Sequence, residues 1–241
     1  MLYGEQMKNN VTALILCGGK GERLGVLTES TPKPLLCIKE RPILSYILEH
    51  VQRYGITDIV IAAGFQVEKI RLFFQQHHRD LNVTIVDSGD VDIIERIKAC
   101  APYIKEDFIL LYGDTLADVN ISQLQDFHFS HNSKATITLW PLKSQFGLAE
   151  LDENGNVIHF REKPVLDQWV NIGNFYYENE VFTWMEGFSS YAEFLEHLGK
   201  QRKLKGYKHS GVHITVNTLR ELEDAEQNIH EFELRKKGSI A

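Results

Sequence analysis

The spacing of hydrophobic and polar positions changes character along this chain. From Thr12 to Thr138, short β-branched runs alternate with longer amphipathic stretches, the pattern of a mostly parallel sheet flanked by helices. Thr12 to Cys17, Asp58 to Ala63, Asn82 to Asp87, Phe108 to Tyr112 and Thr136 to Leu139 read as strands. Most are too continuously apolar to leave one face in water. Pro42 is placed to open a helix reaching about Tyr54, and Asn120 to cap one reaching about Asn132.

After Pro141 the period shortens. Leu148 to Leu151 and Val157 to Phe160 flank Asp152-Glu-Asn-Gly-Asn156, and an Asn-Gly step between apolar runs predicts an antiparallel hairpin. Phe175-Tyr-Tyr177 reads as core strand rather than a stacking platform. Ser190 with Glu193 and Thr218 with Glu221 have the spacing of a capping box, in which side chain and backbone satisfy each other at a helix start. The expected fold is α/β, a Rossmann-like, mostly parallel central sheet flanked by helices, with an antiparallel extension. One domain is expected over residues 11–232, with halves at 11–140 and 141–232. A polar N-terminal extension covers 1–10, and a tail covers 233–241, frayed from Arg235 to Ala241.

A chain of 241 residues is long enough to bury most of its apolar surface in a single core. The net charge of −7 argues against nucleic-acid or membrane-surface partners, which need a broad cationic footprint. No apolar run approaches the roughly 20 residues that span a bilayer, and Met1 to Asn10 lacks a hydrophobic signal core. A cytoplasmic protein is expected. Cys17, Cys37 and Cys100 are an odd number without metal-type spacing, which predicts buried free thiols, and the histidines show no ligand spacing.

Cys17-Gly-Gly-Lys-Gly-Glu-Arg-Leu24 lies where the first strand ends. Clustered glycines let backbone N–H groups approach a phosphate that a Cβ would hold off. Taken alone they serve equally for a tight strand-to-helix turn. The loop lacks the Gly-Lys-Ser/Thr of a Walker A motif, and Leu24 stands where a dinucleotide fingerprint needs its third glycine. Ten residues beyond Arg23, Lys33 is bracketed by Pro32 and Pro34, which should hold the backbone extended and the lysine aimed. Arg23 and Lys33 together make a candidate phosphate clamp.

Gly18-Gly-x-Gly-x-Arg-Leu24, Thr31-Pro-Lys-Pro-Leu-Leu36 and Arg41-Pro-Ile-Leu44 together resemble the signature of the sugar-1-phosphate nucleotidyltransferases. Ala63-Gly-Phe65, Tyr112-Gly-Asp-Thr115, Phe146-Gly147, Phe160-Arg-Glu-Lys-Pro164, Asn171-Ile-Gly173 and Asn217-Thr-Leu-Arg220 extend the likeness from Thr12 to about Asn228. The resemblance implies a transfer in which a sugar 1-phosphate attacks the α-phosphorus of an NTP and pyrophosphate leaves. It implies Arg23 at the leaving pyrophosphate and Lys33 at the α-phosphate. Leu16, Gly18, Gly19, Gly21, Arg23, Asp87 and Gly89 would lie at the nucleotide. Gly147, Glu162, Lys163, Asn171 and Gly173 would lie at the sugar phosphate. Mg²⁺ would be held by Asp114, with Asp118 either assisting from behind or standing as an exposed loop acid.

The stretch from Tyr112 to Asn217-Thr-Leu-Arg220 is most similar to glucose-1-phosphate cytidylyltransferases, which makes CTP the first nucleotide to test. Guanylyl or uridylyl transfer to another phosphorylated acceptor stays open, as does a homo-oligomer. Two segments depart from the family pattern. Where relatives carry a second metal-binding aspartate, this chain offers Thr215 or Asn217, and Asn217 could give Mg²⁺ only a neutral oxygen. The position two before Thr215, commonly aromatic, is His213. After the third strand a glycine pair is reduced to Gly89 within Asp87-Ser-Gly-Asp-Val-Asp92. The missing carboxylate also motivates a reading as a catalytically weak subunit that senses a nucleotide or NDP-sugar.

Overall fold

The computed structural model describes residues 11–131 and 133–238. The extension over residues 1–10 lies outside them. The elements in chain order are β1 (Thr12–Cys17), α1 (Val26–Ser30), β2 (Cys37–Ile38), β3 (Arg41–Pro42), α2 (Ile43–Gln52), β4 (Asp58–Ala63), α3 (Val67–Gln76), β5 (Asn82–Asp87), α4 (Ile93–Cys100), β6 (Phe108–Tyr112), β7 (Thr115–Ala117), α5 (Ile121–Ser130) and β8 (Ala135–Lys143). There follow β9 (Leu148–Leu151), β10 (Val157–Arg161), β11 (Val165–Tyr177), α6 (Val181–Met185), α7 (Tyr191–Lys200), β12 (Leu204–Lys208), β13 (His213–Thr215) and α8 (Leu219–Gly238).

Seven strands form the central sheet in the order β12-β8-β11-β6-β1-β4-β5. β1 runs parallel to β4 and β6, and β4 parallel to β5. β11 enters antiparallel between β6 and β8, so the sheet is parallel on one side and mixed on the other. The apolar runs are continuous because both faces are covered. Ala13, Ile15, Ile109, Leu111 and Tyr176 join a core with α2 and α8, while Leu14, Phe108, Leu110, Phe175 and Tyr177 pack with α4, α6 and α7 on the other face. Strand periodicity thus divides neighbouring residues between two cores.

The parallel strands are ordered β5-β4-β1-β6, so successive strands leave β1 first toward one edge and then toward the other. A crevice opens at such a reversal, beyond the carboxyl ends of the two strands. Here those ends are Cys17 and Tyr112.

Several local expectations are modified. α2 begins at Ile43, and Pro42 precedes it while pairing with Cys37. α5 is capped by Asn120, which accepts from the Gln123 amide, and ends at Ser130. β8 extends past Leu139 to Lys143 because β11 pairs along it. β12 and β13 carry no apolar pattern of their own and are strands because β8 and β7 pair with them. α8 continues through Gly238, where a frayed tail from Arg235 was expected, since its closing stretch is rich in helix formers. Cys17 and Cys100 are buried, but Cys37 is exposed on the short β2 strand, against the expectation for all three.

His128 is fully buried, with Nδ1 2.9 Å from the Thr136 hydroxyl. Burial, helped by Lys134, holds its pKa down at about 4, from an ordinary 6.5. Between those values the unfolded chain binds a proton that the folded protein refuses. This contribution to stability is therefore present above about pH 6.5 and is lost as pH falls toward 4. Urea midpoints measured across that window should fall with pH, and less steeply in His128→Asn; equal slopes would contradict this account.

Candidate functional site

The glycine loop leaves β1 and is tied down by one side chain. Gly21 takes φ 69°, and the Thr28 hydroxyl donates to the carbonyl oxygens of Gly21 and Gly25 at 3.0 and 3.1 Å. A short 3₁₀ turn, Glu22–Leu24, then buries Leu24 and leaves Arg23 at the surface of the crevice. The next segment is not extended through Lys33 as expected. Pro32 and Leu36 are extended, but Lys33–Leu35 closes a 3₁₀ turn with Pro34 in its first turn, where no N–H is required. The turn carries Lys33 inward, leaving it 9 % exposed.

Asp114 follows β6 at the opposite wall. β7 and β13 pair antiparallel with Thr115 facing Thr215, and the Val216 amide donates to the Asp114 carbonyl. That register brings Asn217 beside Asp114. Its backbone is fixed by the box that opens α8: Glu221 Oε2 accepts from the Asn217 and Thr218 amides at 2.6 and 3.1 Å, and Thr218 Oγ1 accepts from the Glu221 amide at 3.2 Å.

Five polar side chains consequently meet. Lys33 Nζ donates to Asp114 Oδ2 at 2.5 Å and to Asn217 Oδ1 at 2.7 Å. Arg23 Nη2 donates to the same Asn217 oxygen at 2.9 Å, and Asn217 Nδ2 donates to Thr215 Oγ1 at 2.9 Å. A carboxamide thus joins an arginine and a lysine, with Asp114 the carboxylate at the Lys33 end. This junction stands in a crevice of about 870 Å³ lined also by Leu16, Gly18, Gly19, Gly21 and Asn171. The size and mixture of apolar walls with few convergent polar groups suit a small-molecule site.

The donor set is all oxygen near one carboxylate, and among the described residues no group of three or more His, Cys, Asp or Glu could hold a metal. This fits Mg²⁺ arriving with a polyphosphate, because Mg²⁺ commonly takes one or two carboxylates and leaves its other positions to waters and phosphates. It does not fit a metal held by protein groups alone.

Gly173 and Asn171 lie where β11 changes register against β8. Gly173 has φ 73°, and a Cβ there would fall 2.4 Å from the Tyr112 ring. Asn171 Oδ1 accepts from the Gly173 amide at 2.8 Å, so the kink sets the Asn171 side chain at the crevice wall. Gly147, Glu162 and Lys163 belong instead to the hairpin base. Gly147 underlies Phe160, and Lys163 has φ 44°. They and Gly173 are outside the crevice lining. So are Asp87 and Gly89, which bond each other in a turn, Asp87 Oδ1 accepting from the Gly89 amide at 3.0 Å. Asp90, Val91 and Ile93 provide that wall.

Arg96 is the component missed in the sequence. It is 5 % exposed, and its guanidinium lies directly under Gly18, where a Cβ would fall 1.6 Å from Nη1. Nη1 donates to the Ala63 carbonyl at 2.8 Å and the Ser88 hydroxyl at 2.6 Å, and Nη2 to the Gly89 and Val91 carbonyls at 3.2 and 3.1 Å. One buried cation therefore shapes the glycine loop and the turn after β5 together, and the four oxygens that accept its hydrogen bonds are neutral.

Two other residues take different places from those expected. Asp118 is not an exposed acid: it accepts from the Val212 amide at 2.6 Å and lies 2.9 Å from His209 Nε2, holding the chain ahead of β13. His213 lines the crevice beside Trp140, ring centroids 5.4 Å apart. Burial and then His209 hold its pKa down at about 4, so near neutral pH it is an uncharged ring where an aromatic residue was expected.

Residues 12–208 match the family model described as nucleotidyl transferase. The glucose-1-phosphate cytidylyltransferase of Salmonella typhi is 32% identical over 243 residues, covering 87% of this chain and 92% of that protein. The D-glycero-alpha-D-manno-heptose 1-phosphate guanylyltransferase of Campylobacter jejuni is 28% identical over 200 residues, covering 80% and 88%. A solved UDP-glucose pyrophosphorylase in complex with UDP-glucose superposes with a TM-score of 0.72 at 14% identity, covering 92% of this chain and 98% of that one. No described helix is long and apolar enough to cross a membrane.

Proposed function

The chain belongs to the nucleotidyl transferase family, and from that footing we propose that CTP and glucose 1-phosphate are its preferred substrates. It is an enzyme that couples an NTP to a sugar 1-phosphate, giving an NDP-sugar and pyrophosphate. The cytidylyl choice rests on the Salmonella typhi relative. The observation that carries the site assignment is the meeting of Arg23, Lys33 and Asp114 around Asn217 at the carboxyl ends of β1 and β6. Pyrophosphate release measured with each common NTP against a panel of sugar 1-phosphates tests the substrate pair. Faster release with another pair would overturn the CTP and glucose 1-phosphate choice.

A sugar-phosphate oxygen forms a bond to the α-phosphorus while the bond to the bridging oxygen breaks, and pyrophosphate leaves with that electron pair. With a second pKa near 6 the attacking phosphate is already mostly dianionic at neutral pH, so no strong base is needed. The work left to the protein is alignment and charge neutralisation. We assign Lys33 to the α-phosphate, because its turn and its bonds to Asp114 and Asn217 aim the ammonium before substrate arrives. Arg23 is assigned to the leaving pyrophosphate, for which its planar fork is suited. Leu16, Gly18, Gly19 and Gly21 receive the nucleotide, with Asp87 and Gly89 acting through the turn that Arg96 holds. Asn171 and Gly173, then Gly147, Glu162 and Lys163 from the hairpin base, receive the sugar phosphate.

Mg²⁺, when bound, neutralises phosphate charge, and Asp114 is the residue that would hold it, with Asn217 as a neutral oxygen. Asn217 Oδ1 already accepts from two cations, so a carboxylate there would bring both a stronger metal ligand and a stronger grip on Arg23 and Lys33. Asn217→Asp should lower the Mg²⁺ concentration for half-maximal pyrophosphate release by about tenfold. An unchanged Mg²⁺ dependence would restrict Asn217 to orienting the two cations.

A further inference from the structure

An ion pair between Lys20 Nζ and Asp90 Oδ2, at 2.5 Å, joins the glycine loop to the turn after β5, and both residues line the crevice. The two segments rest on one support. Arg96 lies under Gly18, and its Nη2 donates to the carbonyls of Gly89 and Val91 on either side of Asp90. A buried group therefore fixes the backbone near each partner, while the two side chains are 47% and 74% exposed.

An exposed ion pair is screened by water and salt, so it contributes little to stability and is easily exchanged. A phosphate oxygen is a strong acceptor for an ammonium, and the flexible four-carbon stem of lysine lets Nζ swing without moving the loop. A triphosphate brings more negative charge than Arg23 and Lys33 balance, the more so because Asp114 already accepts from Lys33. Asp90 is not stranded when Lys20 leaves. Lys20, and then Arg96, hold its carboxyl below the usual carboxylate range, and Arg96 stays in place.

We propose that Lys20 is a third phosphate-binding cation, held by Asp90 until a nucleoside triphosphate enters and then transferred to it, so that Asp90 sets NTP affinity by competing for Lys20. The proposal rests on placing the triphosphate in the crevice. Calorimetric titration of the full chain with Mg²⁺ and the NTP that supports the fastest pyrophosphate release, in the absence of sugar 1-phosphate, tests it. Lys20→Gln should raise the dissociation constant about tenfold, whereas Asp90→Asn should lower it about threefold. A pair that only clasps the two loops together would shift both variants in the same direction, and that result overturns the exchange, as does an unchanged affinity in either variant. Added to Lys20→Gln, Asp90→Asn should tighten binding by a smaller factor than it does alone. An equal factor would show that Asp90 repels phosphate without holding Lys20, and would also overturn the proposal. Turnover of Arg23→Ala tells a failed exchange from a misplaced triphosphate. If Arg23→Ala is impaired while Lys20→Gln binds as wild type does, the crevice holds the triphosphate and the exchange is wrong; if both behave as wild type, the crevice assignment itself falls.

Discussion

Arg23→Ala should lower turnover in pyrophosphate release by about 10² to 10³, the usual cost of removing one preorganised charged donor from a site where charge develops. Arg23 is positioned twice, by the turn that follows Gly21 and by its bond to Asn217 Oδ1. On the proposed assignment the lost charge would matter most as pyrophosphate departs, so kcat should fall by a larger factor than KM for the sugar phosphate rises. Arg23→Lys should recover only part of the loss, because an ammonium cannot present two parallel donors. Near-normal turnover in Arg23→Ala would remove Arg23 from the mechanism.

The second large effect is one of architecture. Gly18→Ala should lower Tm by about 5–10 °C, corresponding to roughly 3 kcal/mol of overpacking and lost charged hydrogen bonds. A Cβ at Gly18 would occupy the position of the Arg96 guanidinium, with contacts of 1.6, 2.0 and 2.6 Å to its atoms. Arg96 would have to surrender bonds to Ala63, Ser88, Gly89 and Val91, releasing the glycine loop and the turn after β5 at once. Gly19 is the control, since a Cβ there meets nothing within 4 Å. Gly19→Ala should shift Tm by less than about 2 °C. Equal shifts for the two variants, read by calorimetry, would show that Arg96 does not tie the loop in place.

The same pair of glycines marks how far the sequence could be read. A glycine cluster after a strand is equally a phosphate cradle or a tight turn, and only Arg96, 78 residues from Gly18, explains why Gly18 in particular excludes a side chain. No local pattern announces that arginine, because its partners are carbonyl oxygens and a hydroxyl supplied by other elements. The parallel strands were legible because burial on both faces leaves continuous apolar runs. β12 and β13 were not, since Leu204–Lys208 and His213–Thr215 acquire strand character only from their neighbours.

Around Asn217 the balance is similar. The Thr218–Glu221 spacing predicted the start of α8, and the missing carboxylate was visible as a departure from the family pattern. That the amide oxygen collects both Arg23 and Lys33 depends on the β7–β13 register, which spacing along the chain does not encode. Lys33 was selected for the right pair of prolines but for the wrong local shape: Pro34 sits in a turn that buries the lysine beside Asp114, rather than in an extended segment that projects it.

The central claim is that this chain transfers a nucleotidyl group to a sugar 1-phosphate. Its most direct test is pyrophosphate release by the full chain with Mg²⁺, each common NTP and a panel of sugar 1-phosphates. The predicted result is release that requires both substrates and is fastest with CTP and glucose 1-phosphate; no release above background with any pair would contradict it.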